Sequence, residues 1–311
     1  MPAPDFHPDL RMARYLPRTV VGPRRLRLIR RLIGLTPLDP RANAVVAQSG
    51  PHVPVRVFRP AGHSGPMPGL LWMHGGGTVV GRAAMEDTQC RAFADRLGIV
   101  VVSVDYRLAP EHPYPTPLED CYTGLRWLAA QSDVDSARIA IGGPSAGGGL
   151  AAALALLARE RGEFHPIFQL LVYPMLDDRT CARTDIDPRT LRIWSPSSNS
   201  FSWASYLGTP PAGDTAPELA VPARHNDLAG LPPAWIGVGT HDLFHDEDVD
   251  YARRLQEAGV ACTLEVVPRA YHGFDYIEPK TPVSQAFFDA QVTALGNALN
   301  GIESNGDITN R

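Results

Sequence analysis

The chain is predicted to be an α/β protein, with a mostly parallel central sheet and helices on both faces. Three observations predict it. Short apolar runs of strand composition alternate with longer helical segments. The run at residues 99–104, Ile-Val-Val-Val-Ser-Val, is almost wholly apolar, as a strand covered on both faces must be. The connections are rich in punctuation, with 28 Gly and 30 Pro in 311 residues. That density excludes a long coiled coil, yet it stays below that of a low-complexity chain.

The elements follow in order. Residues 52–58 alternate as a strand, and 70–73 form a short apolar run ending in a glycine cluster. Residues 87–97 read as a helix stopped by Gly98. After the strand at 99–104 comes a Pro-rich loop, 110–117, then a helix at 118–130 and a strand at 138–142. Residues 145–161 are Ala/Leu-rich and helical, and 168–173 and 234–239 are strands. Residues 246–258 form a helix with Gly259 as its stop, 261–267 a strand, and 283–299 a final helix. The alternation fails in residues 1–45 and 178–225. The expected organisation is therefore an N-terminal cap segment (1–45), a core (46–177 and 226–302), an inserted helical cap segment (178–225) and a flexible tail (303–311). The strand at 261–267, read as the terminal edge, permits edge-to-edge pairing into a homodimer.

Net charge is −4 and the isoelectric point about 6.2, which gives no electrostatic footprint for nucleic acid. The charge is uneven: nine arginines fall in residues 1–41 against Asp5, Asp9 and Asp39. Arg24, Arg25, Arg27, Arg30 and Arg31 interleave with Leu26, Leu28, Ile29, Leu32 and Ile33. One reading is a membrane-surface helix or transit peptide. The other is an amphipathic helix packed on the protein's own body, and Asp5, Pro8 and Asp9 are atypical of a transit peptide. No apolar stretch is long enough for a transmembrane helix, and the N-terminus has no apolar h-region of a secretory signal. Cys90, Cys121, Cys181 and Cys262 are far apart and show no metal-ligand spacing. Reduced, buried thiols in a cytoplasmic protein are expected, with neither metal nor organic cofactor.

The strongest local signal is Gly143-Pro144-Ser145-Ala146-Gly147, a G-x-S-x-G motif between a strand and a long helix. Glycines flank a hydroxyl in this way when a strained turn must expose it and side chains beside it would clash. The helix N-terminus also favours developing negative charge there. A phosphate-binding loop would need Gly-Lys-Ser/Thr, which is absent. The second signal is His74-Gly75-Gly76-Gly77 at a strand end. Its bare backbone can approach a carbonyl oxygen, so the N–H groups of Gly76, Gly77 and Ala146 are the candidate oxyanion donors. His74 reads as a loop organiser, because it precedes Ser145. A hydroxyl nucleophile needs a base, and the base an orienting carboxylate. In sheets with such an elbow the chain order is Ser, acid, His, each after a strand end. Asp242 follows the strand at 234–239, and His272 follows the one at 261–267. His241, His245, Asp246 and Glu247 compete nearby, with a solvated helix start as their alternative role. His165 and His225 have no such placement and read as structural or surface residues.

On these motifs the chain resembles the hormone-sensitive-lipase-type (bacterial family IV) carboxylesterases of the α/β-hydrolase superfamily. The matching residues are 74–77, Asp105-Tyr106-Arg107-Leu108-Ala109-Pro110-Glu111-His112, 143–148, 242–247 and His272-Gly273-Phe274. Tyr173-Pro174 and Leu118-Glu119-Asp120 also fit, and the likeness spans roughly residues 45–300. It implies an α/β-hydrolase core with a helical cap, and a small-molecule ester as substrate. It implies Ser145 as nucleophile, His272 as base, Asp242 as its orienting acid, and Gly76, Gly77 and Ala146 as oxyanion donors. Two positions depart from the family pattern. Pro144 stands where an Asp is common, and Thr78 where an aromatic residue is common. Both bear on substrate choice. Phe201, Trp203 and Tyr206 of the cap segment either line a substrate pocket or pack the cap onto the core. A transacylase, amidase or lactonase on the same triad is the first alternative, and a non-catalytic small-molecule receptor on the same fold the second.

Overall fold

The computed structural model describes residues 5–35, 42–62, 65–217, 219–301 and, as backbone, 308–310. Among these, nine strands form one sheet in the order β1-β2-β4-β3-β5-β6-β7-β8-β9. The strands are β1 (Val45–Gly50), β2 (Val53–Phe58), β3 (Met67–Met73), β4 (Val100–Val104), β5 (Val134–Pro144), β6 (Phe168–Val172), β7 (Ala234–His241), β8 (Cys262–Tyr271) and β9 (Ile308–Asn310). β2 runs antiparallel to both β1 and β4, and every other pair is parallel. The helices are α1 (Leu26–Leu35), α2 (Asp87–Leu97), α3 (Thr116–Ala129), α4 (Ala146–Arg161), α5 (Pro196–Leu207), α6 (His245–Glu257), α7 (Phe274–Ile277) and α8 (Pro282–Leu299).

The two-residue period of a strand sends neighbouring side chains to opposite layers. Leu71 on β3 reaches toward Gly124 of α3, while Trp72 packs its ring on Phe93 of α2 at 5.3 Å. Helices α3 and α4 accordingly cover one face, and α2 and α8 the other. Strand β4 is buried along its whole length, which is why its sequence lacks alternation.

Several boundaries differ from the sequence expectation for physical reasons. Helix α3 begins at Thr116, with Pro117 in its first turn, where a missing N–H costs nothing. Strand β1 goes unseen in the sequence because it is exposed along much of its length and has no apolar face. The tail was expected to be flexible, but residues 308–310 pair with Leu264, Glu265 and Val266 of β8. That also corrects the edge: β9, not β8, ends the described sheet. Residue 302, the last of the expected core, and 303–307 and 311, the rest of that tail, lie outside the described residues, as do 1–4 and 36–41 of the N-terminal segment.

The two segments without alternation meet each other. The Ile193 N–H donates to the Pro17 carbonyl at 2.8 Å, the Ser198 hydroxyl to the Val21 carbonyl at 2.7 Å, and Arg192 Nε to the Ala13 carbonyl. Of the two readings of the arginine cluster, the structure shows a helix laid on the body. Leu26 is buried, Ile29 and Ile33 pack on the core, and Arg30 turns inward. Leu28, Leu32 and Leu35 face outward. No described helix is long and apolar enough to cross a membrane.

Candidate active site

Ser145 sits between β5 and α4 with φ 57° and ψ −122°, a conformation that L-residues avoid. Its neighbours over-determine it. The Ser145 N–H donates to the Val172 carbonyl at 2.8 Å, and its own carbonyl accepts from the N–H groups of Gly149 and Met175 at 3.0 Å. The turn also passes so close to β3 that a Cβ on Gly143 would lie 2.3 Å from the Met73 carbonyl oxygen, and one on Gly147 2.0 Å. Only glycine fits either position, so the motif's spacing is a packing requirement of the turn.

Strand β8 runs four residues further than expected, to Tyr271, so His272 follows the strand end directly. Pro268 and Arg269 disguise that extension; Arg269 has φ 58°. The register of β7 against β8 shifts between Gly239 and His241, and Asp242 follows that irregularity. His272 Nδ1 lies 2.7 Å from Asp242 Oδ2, and His272 Nε2 lies 2.9 Å from Ser145 Oγ. The other Asp242 oxygen accepts the Phe244 N–H at 3.0 Å. All three side chains are buried. Rings of Tyr173 and Phe244 meet the His272 imidazole at 4.9 and 5.2 Å and fix its plane. The three residues picked from chain order are thus brought into one hydrogen-bonded line. Such a line can move a proton from the Ser145 hydroxyl to the imidazole.

The competitors lie elsewhere. His245 Nδ1 pairs with Asp246 at 2.6 Å, and Asp246 with Arg183 at 2.6 Å. The Glu247 carboxylate accepts the N–H groups of Leu176 and Asp177 at 2.7 and 3.1 Å, and His241 packs against Phe6. His165 is exposed, and the backbone carbonyl of half-buried His225 accepts from Arg254.

The loop at 74–77 bends over the elbow. Gly76 has φ 113°, and a Cβ there would sit 2.1 Å from the Val80 carbonyl oxygen. His74 organises this loop as expected: it is buried, stacks on Tyr106 at 4.1 Å, and its Nδ1 meets the Gly75 carbonyl at 2.7 Å. Burial holds its pKa below the usual histidine value. Among the described residues, no acceptor takes the N–H of Gly76 or Gly77. Ala146 is the first residue of α4, where N–H groups have no acceptor within the helix. Gly76 lines a cavity of about 220 Å³ together with Ser145 and His272; Gly77 and Ala146 are not part of its wall.

The remaining wall is apolar, and sequence reasoning missed most of it. Val20, Val21, Ile29 and Ile33 come from the N-terminal segment, and Trp194 from the inserted one. Trp203 and Tyr206 are buried, and the Tyr206 ring meets Tyr114 edge-on at 6.0 Å, so these two aromatics of α5 pack against the rest of the protein; neither they nor Phe201 line this cavity. Thr78 is also off the wall: its hydroxyl donates to the Gly77 carbonyl at 2.6 Å. Pro144 is on the wall. Glu86 is another wall residue, and nothing in the sequence analysis singled it out. Among the described residues, no group of three or more His, Cys, Asp or Glu is placed to hold a metal ion.

Arg30 ties helix α1 to the loops beside the cavity. Arg30 donates to the Val79 carbonyl at 2.7 Å, to the Ala109 carbonyl at 2.6 Å, and to both Glu111 oxygens at 2.8 Å. Replacing Arg30 by Ala is expected to raise KM about three- to tenfold with kcat within about twofold, because Ile29 and Ile33 lose their seat while the hydrogen-bonded line is untouched. Michaelis curves on a soluble ester check it; an unchanged KM would mean that α1 stays docked without Arg30.

Comparisons with known proteins give the family. A family model described as the alpha/beta hydrolase fold matches residues 70–276. The chain is 36% identical over 255 residues to the carboxylesterase NlhH of Mycobacterium tuberculosis, covering 79% of each protein. It is 34% identical over 238 residues to ethyl acetate hydrolase of Pseudomonas putida, covering 74% of each. A solved bacterial heroin esterase superposes with a TM-score of 0.85 at 35% identity, over 94% of this chain and 98% of that one. With the family model covering two thirds of its length, the chain belongs to the α/β-hydrolase fold family, in its hormone-sensitive-lipase-type branch.

Proposed function

We propose that this protein hydrolyses carboxylic esters of small molecules, with short to medium acyl chains, through an acyl-enzyme on Ser145. The observation that carries the reading is the buried line Asp242–His272–Ser145, at 2.7 and 2.9 Å, opening onto an apolar cavity. Ser145 Oγ attacks the acyl carbon as its proton passes to His272 Nε2. Asp242 orients the imidazole and stabilises its charged form. The N–H groups of Gly76, Gly77 and Ala146 hold the oxyanion, each worth about 3–4 kcal/mol by analogy with measured donors. His272 returns the proton to the leaving alcohol. Water then adds to the acyl-enzyme, His272 again taking its proton, and the carboxylic acid and the free serine result. No cofactor takes part.

In this reading residues 46–177 and 226–302 are the catalytic core, and 1–45 and 178–225 are two cap segments that close the cavity. The contacts between the caps and the walls they supply support that division. Four unpaired cysteines support a cytoplasmic setting. A homodimer would use the part of β8 beyond Leu264, Glu265 and Val266, where, among the described residues, β9 pairs with it.

The test is a burst and steady-state assay with p-nitrophenyl esters of about two to twelve carbons. Steady turnover is expected, with an optimum among the shorter chains that a cavity of about 220 Å³ accepts. A burst of one equivalent without turnover would replace water by another acyl acceptor, as in a transacylase. No release with any ester would overturn the reading.

A further inference from the structure

Glu86 ends the short turn Ala83–Glu86 and is 4% exposed. Trp72 Nε1 donates to Glu86 Oε2 at 3.3 Å, and the Gly75 N–H also faces the carboxyl. Glu86 therefore touches the glycine that precedes candidate oxyanion donor Gly76. It lies at a junction. Together with Met85, Gln89 and Tyr276 it lines both the catalytic cavity and an outer cavity of about 610 Å³. A substrate whose acyl carbon rests at Ser145 and whose far end reaches the outer cavity must pass this carboxyl.

Among the described residues no arginine or lysine pairs with Glu86. Its neighbour Asp87 is neutralised by Arg56, at 2.5 Å through both carboxylate oxygens. The charges that act on Glu86 are those of Asp275 and Asp87, and neither is a cation. Asp275 of α7 accepts the Tyr173 hydroxyl at 2.8 Å. The Cys90 thiol and the Tyr106, Tyr173 and Tyr276 phenols are pushed up, chiefly by burial, and stay neutral. Arg96, on the outer cavity's wall, is held by Asp289 at 2.7 Å.

We propose that Glu86 is a specificity-determining residue of this site, favouring esters that carry a cationic amine over neutral esters of the same shape. The inference rests on the ester-hydrolase reading and adds a substrate class to it. A buried carboxylate with no counter-ion gains most from a substrate that brings one. The preference is tied to pH. Burial, first, and then repulsion from Asp275 and Asp87 raise the Glu86 pKa to about 7, against the opposing hydrogen bonds from Trp72 and Gly75. Below that pH the group is a neutral acid and discriminates little. Above it the carboxylate attracts a cation.

The experiment compares two p-nitrophenyl esters on the whole protein. One carries a trimethylammonium group at the end of its acyl chain; the other carries a tert-butyl group of the same shape. Neither group titrates, and both esters use the same Ser145 and His272, so the triad's own ionisation divides out of the ratio of their kcat/KM values. The cationic-to-neutral ratio is expected to rise about tenfold as pH increases through 7, and to stay low and flat in Glu86→Gln. A flat ratio in the wild type, with the neutral ester hydrolysed, overturns the inference and leaves the hydrolase reading standing. An equal rise in Glu86→Gln overturns it as well. Hydrolysis of neither ester by the wild type overturns both readings. If Glu86→Gln does not fold, a flat wild-type ratio still overturns the inference, and Glu86→Ala takes its place as the variant whose ratio must stay flat.

Discussion

Ser145→Ala is expected to lower kcat on a p-nitrophenyl ester by about 10⁴- to 10⁶-fold, the range seen when a serine nucleophile is removed and binding remains. The reasoning is local. The substitution deletes one oxygen, the one 2.9 Å from His272 Nε2, and keeps the Cβ that packs at the elbow. Backbone bonds hold the turn, from the Ser145 N–H to Val172 and from Gly149 and Met175 to the Ser145 carbonyl, so none depends on the hydroxyl. The urea midpoint should therefore stay within error of the wild type. KM should change little, since the cavity wall is mostly apolar and intact. Single-turnover kinetics and labelling by an organophosphonate check the assignment. Activity within about tenfold of wild type would move the nucleophile elsewhere.

What was legible in the sequence follows from how far each feature is determined locally. The elbow is a steric device, and its two glycines are forced by the Met73 carbonyl, so five residues announce it. Asp242 and His272 were found through topology, since parallel strands end on one side of the sheet. Helix α2 declared its own stop: Gly98 takes φ 66° and its N–H returns to the Ala94 carbonyl. Features fixed by distant partners stayed hidden. Val20, Ile29 and Trp194 carry no local mark of lining a cavity, because they do so only when two separate segments fold over the core. Strand β9 depends on β8, some forty residues away, and its own three residues predict nothing. Glu86 is the sharpest case. In sequence it is one of two acids opening a helix; in the fold Asp87 finds Arg56, and Glu86 is left facing the substrate cavity.

Asp242→Asn is expected to cost about 10⁴-fold in kcat with KM nearly unchanged, the size of the same change in another Ser–His–Asp triad. Here the hydrogen bonds dictate why. Asp242 Oδ1 accepts the Phe244 N–H, a donor that cannot turn away because it belongs to the turn before α6. An asparagine must present its carbonyl oxygen to that N–H, which places its amide NH₂ where Oδ2 now faces His272 Nδ1 at 2.7 Å. Two donors cannot meet, so Nδ1 gives up its proton and becomes the acceptor. The neutral ring then carries its proton on Nε2, pointing at Ser145 Oγ, and has no lone pair there to take the serine proton. Geometry survives while the tautomer inverts, so the loss should fall on kcat and not on binding. Nitrogen NMR of the His272 ring would read the tautomer directly: Nε2 unprotonated in the wild type and protonated in Asp242→Asn. A variant with the wild-type tautomer and full activity would show that Asp242 is not the residue that orients the base.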